Sequence, residues 1–481
     1  MSSIKKNYIY NVLYEVMTVI TPLITVSYLA RVLGADNIGV FSFTQANVSY
    51  FELFAIMGIT IYGRREISFY QDDILERSKV FWNIKITSMA ISGTVLVVYI
   101  VFAAYMNSVL YWIFTMSIMA AVVDVTWFFQ GMEEFGRIVL RNVILKVLTI
   151  ICIFCFVKTR DDFLLYAFIH VGLALLSEVV LVPQLRKFIC RVPLKDLKPF
   201  RNLKPIIILF VPTIAVHIYY RIDKSMIGWI TKDSFQNGFY EQATSVVRTI
   251  SPVVTAMGTV LLPRISFCHK KKDIEGVRNY VYKNVRFLWF LAIPAAFGIA
   301  AAAGNVVPWF FGPGYEPVIP LLRILSLMLV VHGCTVLIGY DYLVPTEQEK
   351  AFTVTVVAGA VVNVIMNYFL IARWKAVGAA VASVLSEFLT LVIQVYLVRK
   401  SLSVRKMISL GLNYVIAGLV MYAAVRFEAS FLEPSIVNTL IIVLSGMLLY
   451  ALMLLILRDS LFLESLHNAV SKFRRGKGGA G

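Results

Sequence analysis

The sequence predicts an all-α polytopic membrane protein of about fourteen transmembrane helices, and three observations carry that reading. Apolar segments long enough to span a bilayer, ~20 residues each, recur from Tyr8 to Leu457. No loop between them approaches ~30 residues, which leaves no room for a soluble domain of ~50 residues or more. Hydrophobic residues make up 59% of the 481-residue chain and charged residues only 15%, against about 25% charged in an ordinary globular domain, and mean hydropathy is +0.78. Whatever the protein does, it is expected to do inside the bilayer.

In order, the predicted spans are 8–30, 39–62, 81–104, 108–130, 142–157 and 163–184, then 205–230, 238–262, 287–311, 317–343, 351–371, 377–398, 408–425 and 437–457. The first is long enough to cross and has no small-x-small cleavage site, so it reads as a helix and not as a cleaved leader. A short outer turn with Arg31 separates it from the second, and a basic loop at 63–80 follows. The third and fourth form a tight hairpin. The fifth is short and interrupted by Lys146, and the sixth ends on the basic linker 185–204. Basic loops at 263–286 and 399–407 then bound the eighth and twelfth spans, and a basic tail from Arg458 follows the fourteenth.

Lys and Arg counts set the orientation. With the N-terminus inside, 32 of the 45 basic residues fall in cytoplasmic segments, 7 in outer loops and 6 within spans: Lys85, Lys146, Arg221, Lys224, Arg248 and Arg323. Both termini are therefore expected in the cytoplasm, and the net charge of +17 is the imprint of topology. Nucleic acid is excluded as a partner because no basic domain exists to hold it. The five cysteines are in spans or on the cytoplasmic side and the five histidines are scattered, so neither a disulfide frame nor a metal site is expected.

A weak internal repeat relates the two halves. Leu176-Ser177-Glu178 closes the sixth span as Leu385-Ser386-Glu387 closes the twelfth, and Asn37-Ile38-Gly39-Val40-Phe41 before the second loosely matches Gln236-Asn237-Gly238-Phe239-Tyr240 before the eighth. Both pairs lie six spans apart, which relates the halves by an axis along the membrane normal. The expected organisation is an N-lobe at 1–184, a basic cytoplasmic linker at 185–204, a C-lobe at 205–398, two further helices within 399–457 and a basic cytoplasmic tail at 458–481. The tail reads as a membrane-surface helix followed by disorder.

Four spans carry polar stripes at helical spacing: Asn11, Glu15, Thr18, Pro22 and Thr25; Ser42, Gln45, Ser49 and Glu52; Thr213, His217, Arg221 and Lys224; Glu241, Ser245, Arg248 and Pro252. A charge facing lipid costs at least ~2.5 kcal/mol at the membrane centre, so the stripes must face one another or water. They read as the lining of a hydrated cavity, the alternative being interhelical hydrogen bonds that glue a bundle. At ~1.5 Å per residue, Arg248 lies ~15 Å deep, near the midplane. Arg221 and Lys224 fall in the outer third, Glu15 and Glu52 in the inner half. Such a basic centre suits a phosphate or pyrophosphate, which arginine can bind bidentately.

The strings YLARVLGADNIGVFSF, VDVTWFFQGMEEF, YRIDKSMIGWIT and VVNVIMNYFLIARWKAVGAAVASVLSE resemble the oligosaccharide flippases of the polysaccharide transporter family, within the multidrug, oligosaccharidyl-lipid and polysaccharide exporter superfamily. The resemblance covers nearly the whole chain. It implies two six-helix lobes in a V-shaped, MATE-like arrangement with helices 1, 2, 7 and 8 lining the cavity. It also implies a multi-pass protein of the bacterial inner membrane that moves undecaprenyl-pyrophosphate-linked oligosaccharide units from the inner to the outer leaflet by alternating access, for capsule, O-antigen or exopolysaccharide.

On that reading Arg248, Arg221, Lys224, His217, Arg31 and Lys146 are the candidates for holding pyrophosphate and glycan. Glu15, Glu52, Asp124, Trp127, Gln130, Asp223 and Glu241 are the candidates for coupling or gating. The bland readings stay open: Arg31 as an outer anchor, Asp124 and Trp127 as a structural clasp, Glu241 as an ion-pair partner, above all for Arg248. Glu178 and Glu387 are further carboxylates that either couple to an ion or pair with a buried base. No cofactor or metal is expected, and proton, sodium or membrane potential would supply the driving force. Partners are the lipid-linked oligosaccharide, the bilayer and the polymerase or glycosyltransferases of the same pathway. The competing functions are a peptidoglycan lipid-precursor flippase and a MATE-type drug/cation antiporter, whose cavity would favour carboxylates and aromatics. An enzyme would need a large outer loop or a nucleotide-sugar domain, and the chain has neither.

Overall fold

The computed structural model describes residues 4–464 and 466, with side chains described for 21, 24–211, 213–214, 216–464 and 466. Among the described residues every regular element is helical. The side chains of Asn11, Glu15, Thr18 and Pro22, and the tail at 467–481, lie outside the described residues.

Two reversals in the spans are made without a helix break in the hydrogen-bond pattern. Helix α1 (Ile4–Ile56) divides into two arms at Gly34, whose φ of +80° is open to glycine and strained for other residues. Then come α2 (Ile59–Phe69), α3 (Ile74–Met106) and α4 (Val109–Val123), with Asn107 in the left-handed conformation between the last two. The fourth predicted span is not one helix: α4 stops at Asp124 and a short α5 (Thr126–Gly131) completes it. Helices α6 (Phe135–Phe156) and α7 (Phe163–Leu181) close the first half.

The second half opens with α8 (Leu203–Thr231), which bends by 59° between Leu203–Val211 and Val216–Thr231. Long helices α9 (Ser234–Lys270) and α10 (Ile274–Phe310) follow. The tenth predicted span is built from α11 (Val318–Leu325), α12 (Met328–Ile338) and a π-helical turn at Gly339–Leu343. Helix α13 (Glu349–Val398) holds the eleventh and twelfth spans as two arms that break at Lys375. Short α14 (Val404–Ser409), α15 (Leu412–Glu428) and α16 (Ile436–Ile456) end the bundle. Among the described residues ten helices qualify as spans by length and apolarity, or eleven with the bent α8.

Polarity is distributed as a bilayer demands. Val97, Val98 and Val101 of α3 and Leu444, Met447 and Leu448 of α16 are exposed, whereas Lys224, Ser225, Asn367, Ser386 and Gln394 are buried. Apolar side chains facing outward lose nothing in lipid, while polar groups inside must find partners.

The chain forms two compact units: Met1–Gln242 with Asn367–Ala379, and Ala243–Met366 with Ala380–Gly481. In the first, α1 packs on α3, α4, α6 and α8, and α4 on α7. Its aromatic core stacks Phe81 on Trp127, ring centroids 5.6 Å apart. In the second, α10 packs on α12, α15 and α16 around the fully buried Tyr414.

The two strings that matched as repeats meet in the first unit. A Cβ on Gly39 would sit 1.8 Å from the Ser234 carbonyl oxygen, and one on Gly238 would sit 1.9 Å from that of Ala35. The second arm of α1 and the start of α9 therefore touch backbone to backbone through repeat-equivalent glycines. Only a residue without a Cβ fits there.

Candidate functional site: a charged row in the first unit

The second arm of α1 presents Ser42, Gln45, Ser49 and Glu52 along one face, and the structure shows what that face meets. Ser42, 2% exposed, donates to Glu241 Oε2 at 2.5 Å. The same carboxylate oxygen receives the Lys224 ammonium of α8 in a close ion pair. The Lys224 side chain is 2% exposed and that of Glu241 21%. A lysine so far from water is tolerable only with a counter-ion, and Glu241 supplies it.

Asp223 precedes Lys224 on α8 but faces another way. It accepts the Tyr240 hydroxyl at 2.7 Å and the Asn367 amide at 2.6 Å. The tip of α13 docks alongside, where the Ala376 N–H reaches Gln236 Oε1 at 3.3 Å. Consecutive residues of one helix thus anchor two different neighbours. Deeper along α8, Ser225 receives the Tyr50 hydroxyl at 3.1 Å, and the Tyr50 and His217 rings meet edge to face, 6.3 Å apart. Arg221 is close enough to act electrostatically on Tyr50, Glu52 and His217, and Glu52 is hydrogen-bonded by Ser117 of α4.

The first unit therefore carries a continuous row of charged and polar groups, from Ser42, Glu241 and Lys224 through Tyr50 to His217, Arg221 and Glu52. Its cationic groups are Arg221 and Lys224, the latter paired with Glu241. The ion-pair partner of Glu241 is Lys224, where the sequence pointed to Arg248. Spacing could not reveal this, because Lys224 and Glu241 belong to different helices. Arg248 is exposed on α9, and its guanidinium touches the Thr244 hydroxyl at 3.3 Å.

The motif of the fourth span forms a second buried cluster. Where α4 stops, the Lys85 ammonium of α3 donates to the carbonyls of Val122 and Asp124 at 2.8 Å each. Asp124 caps the new start by accepting the Thr126 N–H at 2.7 Å. The Thr126 hydroxyl donates to Glu178 at 2.8 Å, and Arg141 pairs with Glu178 at 3.2 Å. Trp127 is fully buried against Phe81 and sits where a side chain on Gly63 would be. Gly131 packs on Ile67, and its carbonyl accepts the Gln71 amide at 2.7 Å. This geometry is that of a clasp around a broken membrane helix.

The remaining candidates lie apart from the row. Arg31 is exposed near the end of the first arm of α1, and Lys146 and Gln130 are half-buried on α6 and α5. Residues that sequence reasoning did not single out include Thr126 and Arg141 around Glu178, Tyr240 and Asn367 around Asp223, and His332 and Thr335 around Glu387. The LSE repeat was the one signal that pointed toward the last group.

Comparison with known proteins agrees with this architecture. The model of the polysaccharide biosynthesis protein family matches residues 4–269. A putative O-antigen transporter of Escherichia coli is 22% identical over 410 residues, covering 83% of this chain and 97% of that protein. A probable low-salt glycan biosynthesis flippase, Agl15 of Haloferax volcanii, is 26% identical over 242 residues, half of each chain. Among solved structures, the lipid II flippase MurJ in an inward closed conformation aligns with a TM-score of 0.73 at 15% identity, over 94% of this chain and 99% of that one. An inward-facing MATE multidrug transporter gives 0.61 at 15% identity, over 82% and 98%. Both share the fold of the multidrug, oligosaccharidyl-lipid and polysaccharide exporter superfamily.

Proposed function

This chain belongs to the polysaccharide biosynthesis protein family, and from that premise we propose that it is a flippase for undecaprenyl-pyrophosphate-linked oligosaccharide units. It would carry them from the inner to the outer leaflet of a bacterial cytoplasmic membrane, with both termini in the cytoplasm. The observation that carries the reading is the buried Lys224, held by Glu241 inside a membrane fold whose relatives are named as transporters and flippases. A buried ionisable pair in a membrane is costly and marks a functional pathway.

Glu241 stands in for the substrate's anion. A pyrophosphate entering the row would meet Arg221 first and then compete with Glu241 for Lys224. Arginine offers a planar fork to phosphate oxygens and lysine a point charge. Arg248, exposed on α9, is a further basic candidate. Alternating access then exposes the row to one side and then the other, so that only the polar head crosses. The isoprenoid tail stays apolar throughout. A cavity of about 550 Å³ in the second unit, lined by Phe290, Pro294, Gly298, Met421, Gly446 and Tyr450 among others, suits part of such a chain.

The test is translocation of a fluorescent undecaprenyl-pyrophosphate oligosaccharide in proteoliposomes. Wild type is expected to transport it, and Arg248→Ala and Arg221→Ala to transport at least tenfold less, the loss of one charge-assisted contact of ~1.4 kcal/mol or more. Efflux of a cationic dye with no lipid transport would refute the reading in favour of a drug antiporter. Preference for a peptidoglycan precursor would narrow it to that branch.

A further inference from the structure

The two carboxylates of the LSE repeat each meet a threonine hydroxyl and a base, but the bases differ in kind and in the span that carries them. In the first unit Glu178 accepts a hydroxyl from Thr126, on the fourth span of its half, at 2.8 Å, and pairs with Arg141 at 3.2 Å. In the second unit Glu387 accepts a hydroxyl from Thr335, on the tenth span and therefore the fourth of its half. Its base is His332, with Nδ1 at 2.8 Å from Glu387 Oε1. The carboxylate and threonine repeat; the base does not. Arginine stays charged at any accessible pH. Histidine does not.

We propose that His332 and Glu387 form a proton-binding site that takes up and releases one proton during each transport step, with Arg141 and Glu178 as its fixed-charge counterpart. This rests on the flippase reading above. With no added proton the pair is a carboxylate accepting from a neutral imidazole, with net charge −1. One proton makes it neutral, either as imidazolium with carboxylate or as imidazole with carboxyl. The Glu387 side chain is 4% exposed, and a net charge at such a place is costly. Uptake of the proton removes that charge and release restores it. In the first unit Arg141 neutralises Glu178 permanently, so the same position cannot respond to a proton gradient.

Other titratable and charged groups lie on α11, α12, α15 and the turn after α12. Cys334 of α12 lines an apolar cavity of about 390 Å³ with Leu288, Trp289 and Val392. Asp341, in the turn after α12, accepts the Asn284 amide of α10 at 3.0 Å. Arg323 of α11 lies with Arg426 of α15 beside Gly304. The first arm of α13 contributes Asn363, whose amide reaches the Ser386 hydroxyl at 3.3 Å.

Two readouts on the full-length protein test the site. Infrared difference spectra across a pH titration are expected to show a protonating carboxyl that is lost in Glu387→Gln and whose midpoint moves by about one pH unit or more in His332→Arg. In proteoliposomes, a one-unit pH difference supplies about 1.4 kcal/mol per proton and can shift the outer-to-inner ratio of lipid-linked sugar up to about tenfold. Wild type should show that shift, and in His332→Arg, which puts a fixed charge beside Glu387, the ratio with and without the gradient should be equal. An unchanged titration midpoint together with an intact gradient response in His332→Arg would overturn the proposal. If wild type moves no lipid-linked sugar, the flippase reading fails, while the infrared titration still decides the proton site.

Discussion

Lys224 and Glu241 set the largest energetic stake in the first unit, and a double-mutant cycle measures it. The attraction of two unit charges ~4 Å apart at an effective dielectric of about 20 is ~4 kcal/mol. Lys224 is 2% exposed and Glu241 21%, so desolvation cancels most of that gain, chiefly on the lysine side. Lys224→Met should therefore cost about 3 kcal/mol. It removes the Lys224 charge from Glu241 and keeps Ser42 as its hydroxyl donor at 2.5 Å. Glu241→Gln should cost about as much by stranding a buried ammonium. The double variant should lie within about 1 kcal/mol of wild type, because neither charge then remains uncompensated. The coupling energy is thus expected to be several kcal/mol, far above the ~0.5 kcal/mol of independent sites. Equilibrium unfolding in mixed micelles reads it directly. If the two single losses simply add in the double variant, the pair does not exist as described and the anion-competition scheme loses its basis.

Two further perturbations test the frame around the row. Lys85→Met should destabilise the first unit by about 2–4 kcal/mol, since it leaves the Val122 and Asp124 carbonyls, each held at 2.8 Å, without a donor where no water replaces it; unfolding of the purified variant measures this, and a loss under ~0.5 kcal/mol would refute the clasp. Gly39→Ala and Gly238→Ala each place a Cβ under 2 Å from a carbonyl oxygen, so both should sharply lower the yield of folded protein on size-exclusion chromatography, whereas Gly93→Ala, with nothing within 4 Å of its Cβ, should not.

The legibility of this protein in its sequence follows the range of the interactions. Hydropathy needs only contiguous residues, so the apolar segments were readable, and among the described residues helices form there. Helical periodicity assigned Ser42, Ser49 and Lys224 to inward faces, and each is buried. Six-span spacing exposed the repeat, which led to Gly39 against Gly238 and matched Glu178 with Glu387 as repeat equivalents. What periodicity yields is a face, and a face does not name its neighbour.

Neighbours were decided by packing. For Glu241 the sequence pointed to Arg248 on the same helix, and the fold pairs it with Lys224 of α8. The fourth span reads as one apolar run, yet it breaks at Asp124 because Lys85, 39 residues earlier, accepts the burden of the freed carbonyls. His332 and Glu387 are 55 residues apart and carry no joint signal in the chain. Sequence alone determined the solvent and the family, since those depend on composition and local order. The tertiary structure alone decided which buried charge meets which, because in a medium that cannot solvate a charge its state is set by the one group packed against it.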